Sequence, residues 1–207
     1  MHKEILSPEQ IMLLPLVGQF IDDFGLVGGT AIALHLGHRE SIDFDMFTKA
    51  DFDNIKIKRK LLRSTMIDKI TLDETGQLNV LINTVKFTFF QFPYEIPFTE
   101  KFENAARIPS LLTLAAMKAF ALGQRAKWKD YVDMYFILKD HHRIDEINTK
   151  ARELFGKEYN EKIFRTQLSY FDDINYAEKV IYHNNCDVPE EVVKQALTEF
   201  SLTNVEV

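Results

Sequence analysis

Residues 26–45 read LVGGTAIALHLGHRESIDFD, and the reading of the whole chain turns on them. Leu26-Val27 has the look of a short buried strand, broken by Gly28-Gly29. Thr30 to Leu36 reads as a helix that stops at Gly37. From Ser41 to Phe47 the residues alternate. Ile42, Phe44 and Met46 fall on one side, and Ser41, Asp43 and Asp45 on the other, which is the period of a strand. Gly29 and Asp43 are 14 positions apart. That spacing accommodates a short helix and returns the chain to an adjacent strand. A glycine turn and an acid pair then meet at one end of a sheet.

Each half of this pattern has a chemical reading and a plainer one. Two glycines between strand and helix let backbone approach a ligand closely. The helix behind them offers unpaired N–H groups and a positive dipole end, which suit a phosphate. Thr30 would add a hydroxyl bond to a phosphate oxygen. Equally, a Gly-Gly turn is ordinary strand-to-helix geometry. Carboxylates two apart on a strand face one spot and repel unless a cation lies between them. Mg²⁺ takes one or two carboxylates plus substrate phosphates. Equally, alternating acids make a solvated strand face. Arg39 either contacts a nucleotide phosphate or screens Asp43. The combination is more specific than either part.

Outward from this stretch, Ser7-Pro8-Glu9-Gln10 is a helix start, with serine as cap and Gln10 completing a capping box. That helix is expected to run to about Phe24. Phe52 to Ser64 reads as a helix with a basic outer face of Lys56, Lys58, Arg59, Lys60 and Arg63. Met66 to Phe92 reads as a β-meander with a turn at Gly76. After Pro109 the character becomes helical, over about 110–125, 128–139, 144–155, 158–171 and 188–201. A boundary is expected near residue 100, giving an α/β (α+β) core over 1–100 and a helical region over 101–207. The chain contains no internal repeat and no low-complexity tract.

In the second half, Leu111, Leu114, Ala115, Lys118 and Leu122 recur at helical spacing. Lys118 therefore sits in an apolar stripe, where a lysine needs an anionic partner or snorkels along the helix edge to water. Asp130 and Asp133 are three apart, on one helix face, and follow Arg125, Lys127 and Lys129. A salt-bridged helix start explains them as well. His141-His142 reads as a helix-end cap, and Trp128 as either a base-stacking or a packing residue.

Gly28-Gly29-Thr30-Ala31, followed by His38-Arg39-x-Ser41-x-Asp43-Phe44-Asp45, resembles the AbiEii/AbiGii toxin family of nucleotidyltransferases, within the DNA-polymerase-β superfamily. Lys118 with Asp130 and Asp133 resembles a further motif of those toxins. The match is good over roughly residues 20–50 and 108–138, and no motif is apparent after about 140. The resemblance implies a nucleotidyltransferase core with a small mixed sheet, followed by a helical region that completes the site. It implies Mg²⁺ or Mn²⁺ held by Asp43 and Asp45, with a nucleoside triphosphate as substrate. Gly28, Gly29, Thr30, Arg39, Ser41 and Lys118 would bind phosphates. Asp43, Asp45, Lys118 and Asp130 would be catalytic. The implied acceptor is an RNA 3′ end, such as that of tRNA, or a protein hydroxyl. The implied role is the toxin of a bacterial toxin–antitoxin or phage-defence pair, with a cognate antitoxin as partner. The pattern departs at one point. Enzymes of this superfamily commonly carry a third carboxylate on a later strand, and Val85 to Phe90 contains none. That leaves a catalytically degenerate binding protein, or an antitoxin-like transferase that modifies proteins, as rival readings.

Composition bounds the rest. The chain has 207 residues, 46% hydrophobic and with 17 phenylalanines, enough for an aromatic core. The lone Cys186 excludes an intrachain disulfide and a zinc site of several thiolates, and suits a cytoplasmic location. No apolar run suggests a signal peptide or a membrane span. A formal charge of −6 argues against a surface that grips nucleic acid over its whole extent, and leaves room for a local basic cleft.

Overall fold

The computed structural model describes residues 1–122 and 124–203. It divides into two compact units, Met1–Ser110 and the helical remainder from Leu111 onward.

The first unit is built on a five-stranded mixed sheet. Its elements are α1 (Pro8–Gly18), β1 (Gly25–Val27), α2 (Gly28–Leu36), β2 (Asp43–Thr48), α3 (Asn54–Leu62), β3 (Lys69–Glu74), β4 (Gln77–Ile82) and β5 (Val85–Gln91). The strand order is β1-β2-β5-β4-β3. β2 and β5 run parallel, and the other pairings are antiparallel. The alternation seen in the sequence sorts the two faces. Phe44, Met46, Phe87, Phe89, Leu78 and Val80 are fully buried on one face. Asp43, Asp45, Lys86, Gln77 and Asn79 lie half-buried on the other. The apolar face is packed with rings: Phe44 lies 5.2 Å from Phe87, and Phe20 lies 4.9 Å from Phe89. Such pairs add about 0.5–1.5 kcal/mol each beyond the area they bury.

Local signals explain most element ends. Ser7 accepts from Gln10 N at 3.2 Å, and Gln10 Oε1 accepts from Ser7 N at 3.1 Å, closing the expected capping box. Gly37 ends α2 in the left-handed region. The expectation that the first helix reaches Phe24 is corrected, since α1 stops at Gly18 and turns follow. The carbonyls of Ile21 and Asp22 accept from Arg107 at 2.7 and 3.0 Å. Arg107 belongs to a hairpin the sequence did not suggest, β6 (Glu100–Phe102) and β7 (Ala106–Ile108). This hairpin carries the first unit past residue 100, to Ser110.

The second unit contains α4 (Leu111–Leu122), α5 (Trp128–Asp140), α6 (Ile144–Phe155), α7 (Glu161–Leu168) and α8 (Glu190–Leu202). α4 packs on α6, where Phe120 stacks on Phe155 with centroids 4.3 Å apart. Arg165 on α7 donates to the Ser201 carbonyl of α8 at 2.9 Å. No described helix is long and apolar enough to cross a membrane.

Candidate active site

Antiparallel pairing sets Val27 opposite Asp45, so the glycines that follow Val27 turn against the acidic strand. Gly28 has φ +71°, and a Cβ there would lie 2.3 Å from Asp45 Oδ2. Only glycine satisfies both conditions. A Cβ on Gly29 would lie 2.8 Å from Arg39 Nη2. Backbone is therefore drawn right up to a carboxylate and a guanidinium. Behind it α2 begins with no side-chain cap. The N–H groups of its first turn have no intrahelical partner and carry the positive end of the dipole.

Thr30, Arg39 and Ser41 form a buried frame beneath this turn, each less than a tenth exposed. Thr30 Oγ1 donates to the Asp43 carbonyl and lies in hydrogen-bond contact with Ser41 Oγ at 2.9 Å. Arg39 Nη1 donates to the Glu40 carbonyl at 2.8 Å. The Thr30 hydroxyl thus ties α2 to β2. The same tie explains a departure from the expected alternation: Ser41 is buried and Ile42 is 60% exposed, because the strand begins only at Asp43.

Asp43 and Asp45 share the half-exposed face of β2, while Phe44 between them is buried on the other. The parallel register sets Lys86 beside Asp43 and Thr88 beside Asp45. Sequence reasoning passed over both. The alternation of β5 signalled their shared face, but their neighbours depend on the pairing. Thr88 is 8% exposed, and its Oγ1 is buried with no hydrogen-bond partner among the described residues. No acid stands at this register on β5.

A divalent ion fits the donor set in a limited way. Among the described residues there is no cluster of three or more His, Cys, Asp or Glu side chains that would cage a metal. Two carboxylates beside a cradle that any Cβ would fill suit an ion that brings phosphate oxygens with it.

The second unit holds its own polar cluster. Lys118 Nζ lies 2.7 Å from Asp130 Oδ1 and 3.0 Å from Asp133 Oδ2, with Lys118 5% exposed and both acids fully buried. This is the anionic partner that a lysine in an apolar stripe requires. Arg125 Nε adds a contact to Asp130 Oδ2 at 3.3 Å. Burial alone would push the Asp130 carboxyl up, but the Lys118 ammonium and the Arg125 guanidinium outweigh it and hold it below the ordinary carboxylate value. Asp130 is therefore a fixed negative charge and a weak base.

Other candidates have structural roles. Trp128 packs against Tyr176, with ring centroids 5.6 Å apart. His35 Nε2 is hydrogen-bonded to the Pro109 carbonyl at 3.0 Å. His141 caps the end of α5, where its N–H bonds the Ile137 carbonyl.

No family model matches the chain. An Aquifex aeolicus (strain VF5) protein, the uncharacterized protein aq_aa25, is 30% identical over 178 residues, spanning 83% of each chain. Solved structures share the fold at lower identity. A Helicobacter pylori protein described provisionally as a nucleotidyltransferase matches with TM-score 0.60 and 17% identity, over 93% of this chain and 91% of that one. JHP933 from Helicobacter pylori gives 0.57 and 16%, over 95% and 91%. MenT4, the nucleotidyltransferase toxin Rv2826c of Mycobacterium tuberculosis H37Rv, gives 0.60 and 12%, over 95% and 82%. The chain has the nucleotidyltransferase fold of these structures, and it belongs to the same family as aq_aa25 of Aquifex aeolicus.

Proposed function

We propose that the chain is a metal-dependent nucleotidyltransferase that moves a nucleotide from a nucleoside triphosphate to an RNA or protein hydroxyl, as an AbiEii-like toxin with a cognate antitoxin. The observation that carries this is the contact at Gly28, where backbone at an uncapped helix start meets the Asp45 carboxylate. Such a turn binds anions, and such a carboxylate binds cations, so together they suit a metal-bearing triphosphate. The similarity to a protein named as a nucleotidyltransferase toxin supports the toxin role.

In this reading Asp43 and Asp45 hold the ion, which when bound offsets charge on the attacked phosphate. The N–H groups of Gly28, Gly29 and the first turn of α2 bind the outer phosphates. Thr30, Ser41 and Arg39 keep that turn in place. Lys118 of the second unit is a further catalytic residue in this reading. Asp133 holds the Lys118 ammonium in place, and Asp130 orients it rather than taking a proton, as its buried, charge-stabilised carboxylate favours.

A second reading, a binding protein without chemistry, is favoured by one observation: Thr88, not an acid, stands beside Asp45. Incubation of the pure protein with Mg²⁺, each labelled nucleoside triphosphate and total RNA separates them. Transfer of label to RNA, abolished in Asp45→Ala, is expected. Label on protein instead points to a protein acceptor. Absence of both transfer and any nucleotide-induced rise in Tm contradicts the proposal.

A further inference from the structure

The first unit has a concavity at the carboxyl ends of the parallel strands β2 and β5. It encloses about 880 Å³, within the range of ligand-binding clefts. In open sheets, ligands settle outside the carboxyl ends of parallel strands. The walls are aromatic. Phe52, Phe92, Tyr94 and Phe98 line it, and each keeps part of its surface exposed. Phe92 lies 5.3 Å from Phe47 and, edge to face, 5.2 Å from Tyr94, so the rings form a continuous aromatic wall. Phe47 follows Asp45 by two residues on the same face of β2, about 7 Å of strand away.

The rim carries both signs of charge, with cations gathered on α3. Lys56 and Lys60 of α3 line the cleft. Lys56, Arg59 and Arg63 of that helical stretch are exposed and carry no ion pair among the described residues. Five acids also line the cleft: Asp22 and Asp23 are exposed, with Asp23 lying 3.9 Å from Lys60. Asp51 accepts from Gln91, Asp53 caps α3 through Ile55 N at 2.8 Å, and Glu95 pairs with Lys49 at 3.2 Å. Aromatic faces bordered by unpaired cations are what single-stranded nucleic acid binds, by stacking its bases and neutralising its phosphates.

We infer that this cleft binds an unpaired segment of RNA, stacking a base against the aromatic wall at Tyr94 while α3 holds its phosphates. The inference rests on the transferase reading only in taking the bound strand as the acceptor. A duplex presents no free base faces and is excluded by the same chemistry.

The test is fluorescence anisotropy with a labelled single-stranded oligoadenylate, over a range of salt concentrations, on the full chain. Binding is expected, weakened at least about tenfold in Tyr94→Ala and retained in Tyr94→Trp. In a Lys56→Gln, Arg59→Gln double variant, the log–log salt slope should fall by about 1–2. Melting curves confirm that each variant folds. Failure to bind, binding indifferent to Tyr94→Ala, or equal competition by a duplex of the same length overturns the inference. Label transfer to RNA that ignores the cleft variants overturns it alone. Aromatic-dependent binding with no transfer to any acceptor leaves it standing and sinks the transferase reading.

Discussion

At the residue scale, three positions carry most of the argument. Gly28→Ala forces a side chain into left-handed backbone and onto a carboxylate 2.3 Å away. We expect a loss of about 1–2 kcal/mol from the backbone alone, read as a lower Tm, together with loss of nucleotide transfer as Asp45 is displaced. Lys118→Met leaves Asp130 and Asp133 buried without their ammonium. A loss of about 3–5 kcal/mol is expected at neutral pH. The pH dependence separates this from a simple packing defect. In the parent, Asp130 has a lowered folded value, so its contribution is present above the ordinary 3.8 and lost as pH falls through the folded value. In the variant the acids lose their stabilising charge, so denaturant melts should show stability rising as pH drops toward 5. Thr88 is the converse case. Its buried hydroxyl has no partner among the described residues, so Thr88→Val should raise stability by roughly 1 kcal/mol in the free protein. A group kept at such a cost beside Asp45 is consistent with a site optimised for something other than stability.

At the scale of elements, the strap that follows α7 is held to the start of α5. Trp128 N donates to the Asn175 carbonyl at 3.1 Å, and Asn175 N to the Ala126 carbonyl at 2.8 Å. Glu178 bridges Lys127, at 2.6 Å, and Lys129. Burial works against the Glu178 carboxylate, but the two lysines lower it to about 2. Its contribution is therefore present above the ordinary 4.5 and lost as pH falls toward about 2. The pair is partly exposed, so Glu178→Gln should cost under about 1 kcal/mol and less in high salt, by thermal melts at two ionic strengths. No motif was apparent after about 140, and this bracing gives Asn175 and Glu178 a structural role. The elements legible in the sequence were those with local causes: the Ser7 cap, the Gly37 stop, and the alternation from Asp43 to Met46. The candidate site was legible to the same extent, since the glycine turn and acid pair are close along the chain. The neighbours Lys86 and Thr88 were not, because they depend on the parallel pairing of β2 with β5, about 40 residues apart. The hairpin of β6 and β7 escaped as well. Strands of three residues show no period, and Arg107's bonds to Ile21 and Asp22 are invisible without the fold.

At the scale of the molecule, one unit joins a glycine turn to a carboxylate pair, and the other buries a lysine between two acids. The toxin reading requires both. Expression in a bacterial host should arrest growth, and either Asp45→Ala or Lys118→Ala should relieve the arrest, with protein levels checked by blot. The most direct measurement is a crystal grown with Mn²⁺ and a non-hydrolysable nucleoside triphosphate, examined at the manganese absorption edge. The account predicts an anomalous peak bound by Asp43 and Asp45, with phosphate oxygens on the N–H groups of Gly28 and Gly29. A nucleotide seated elsewhere, with Asp43 and Asp45 free of metal, would contradict it.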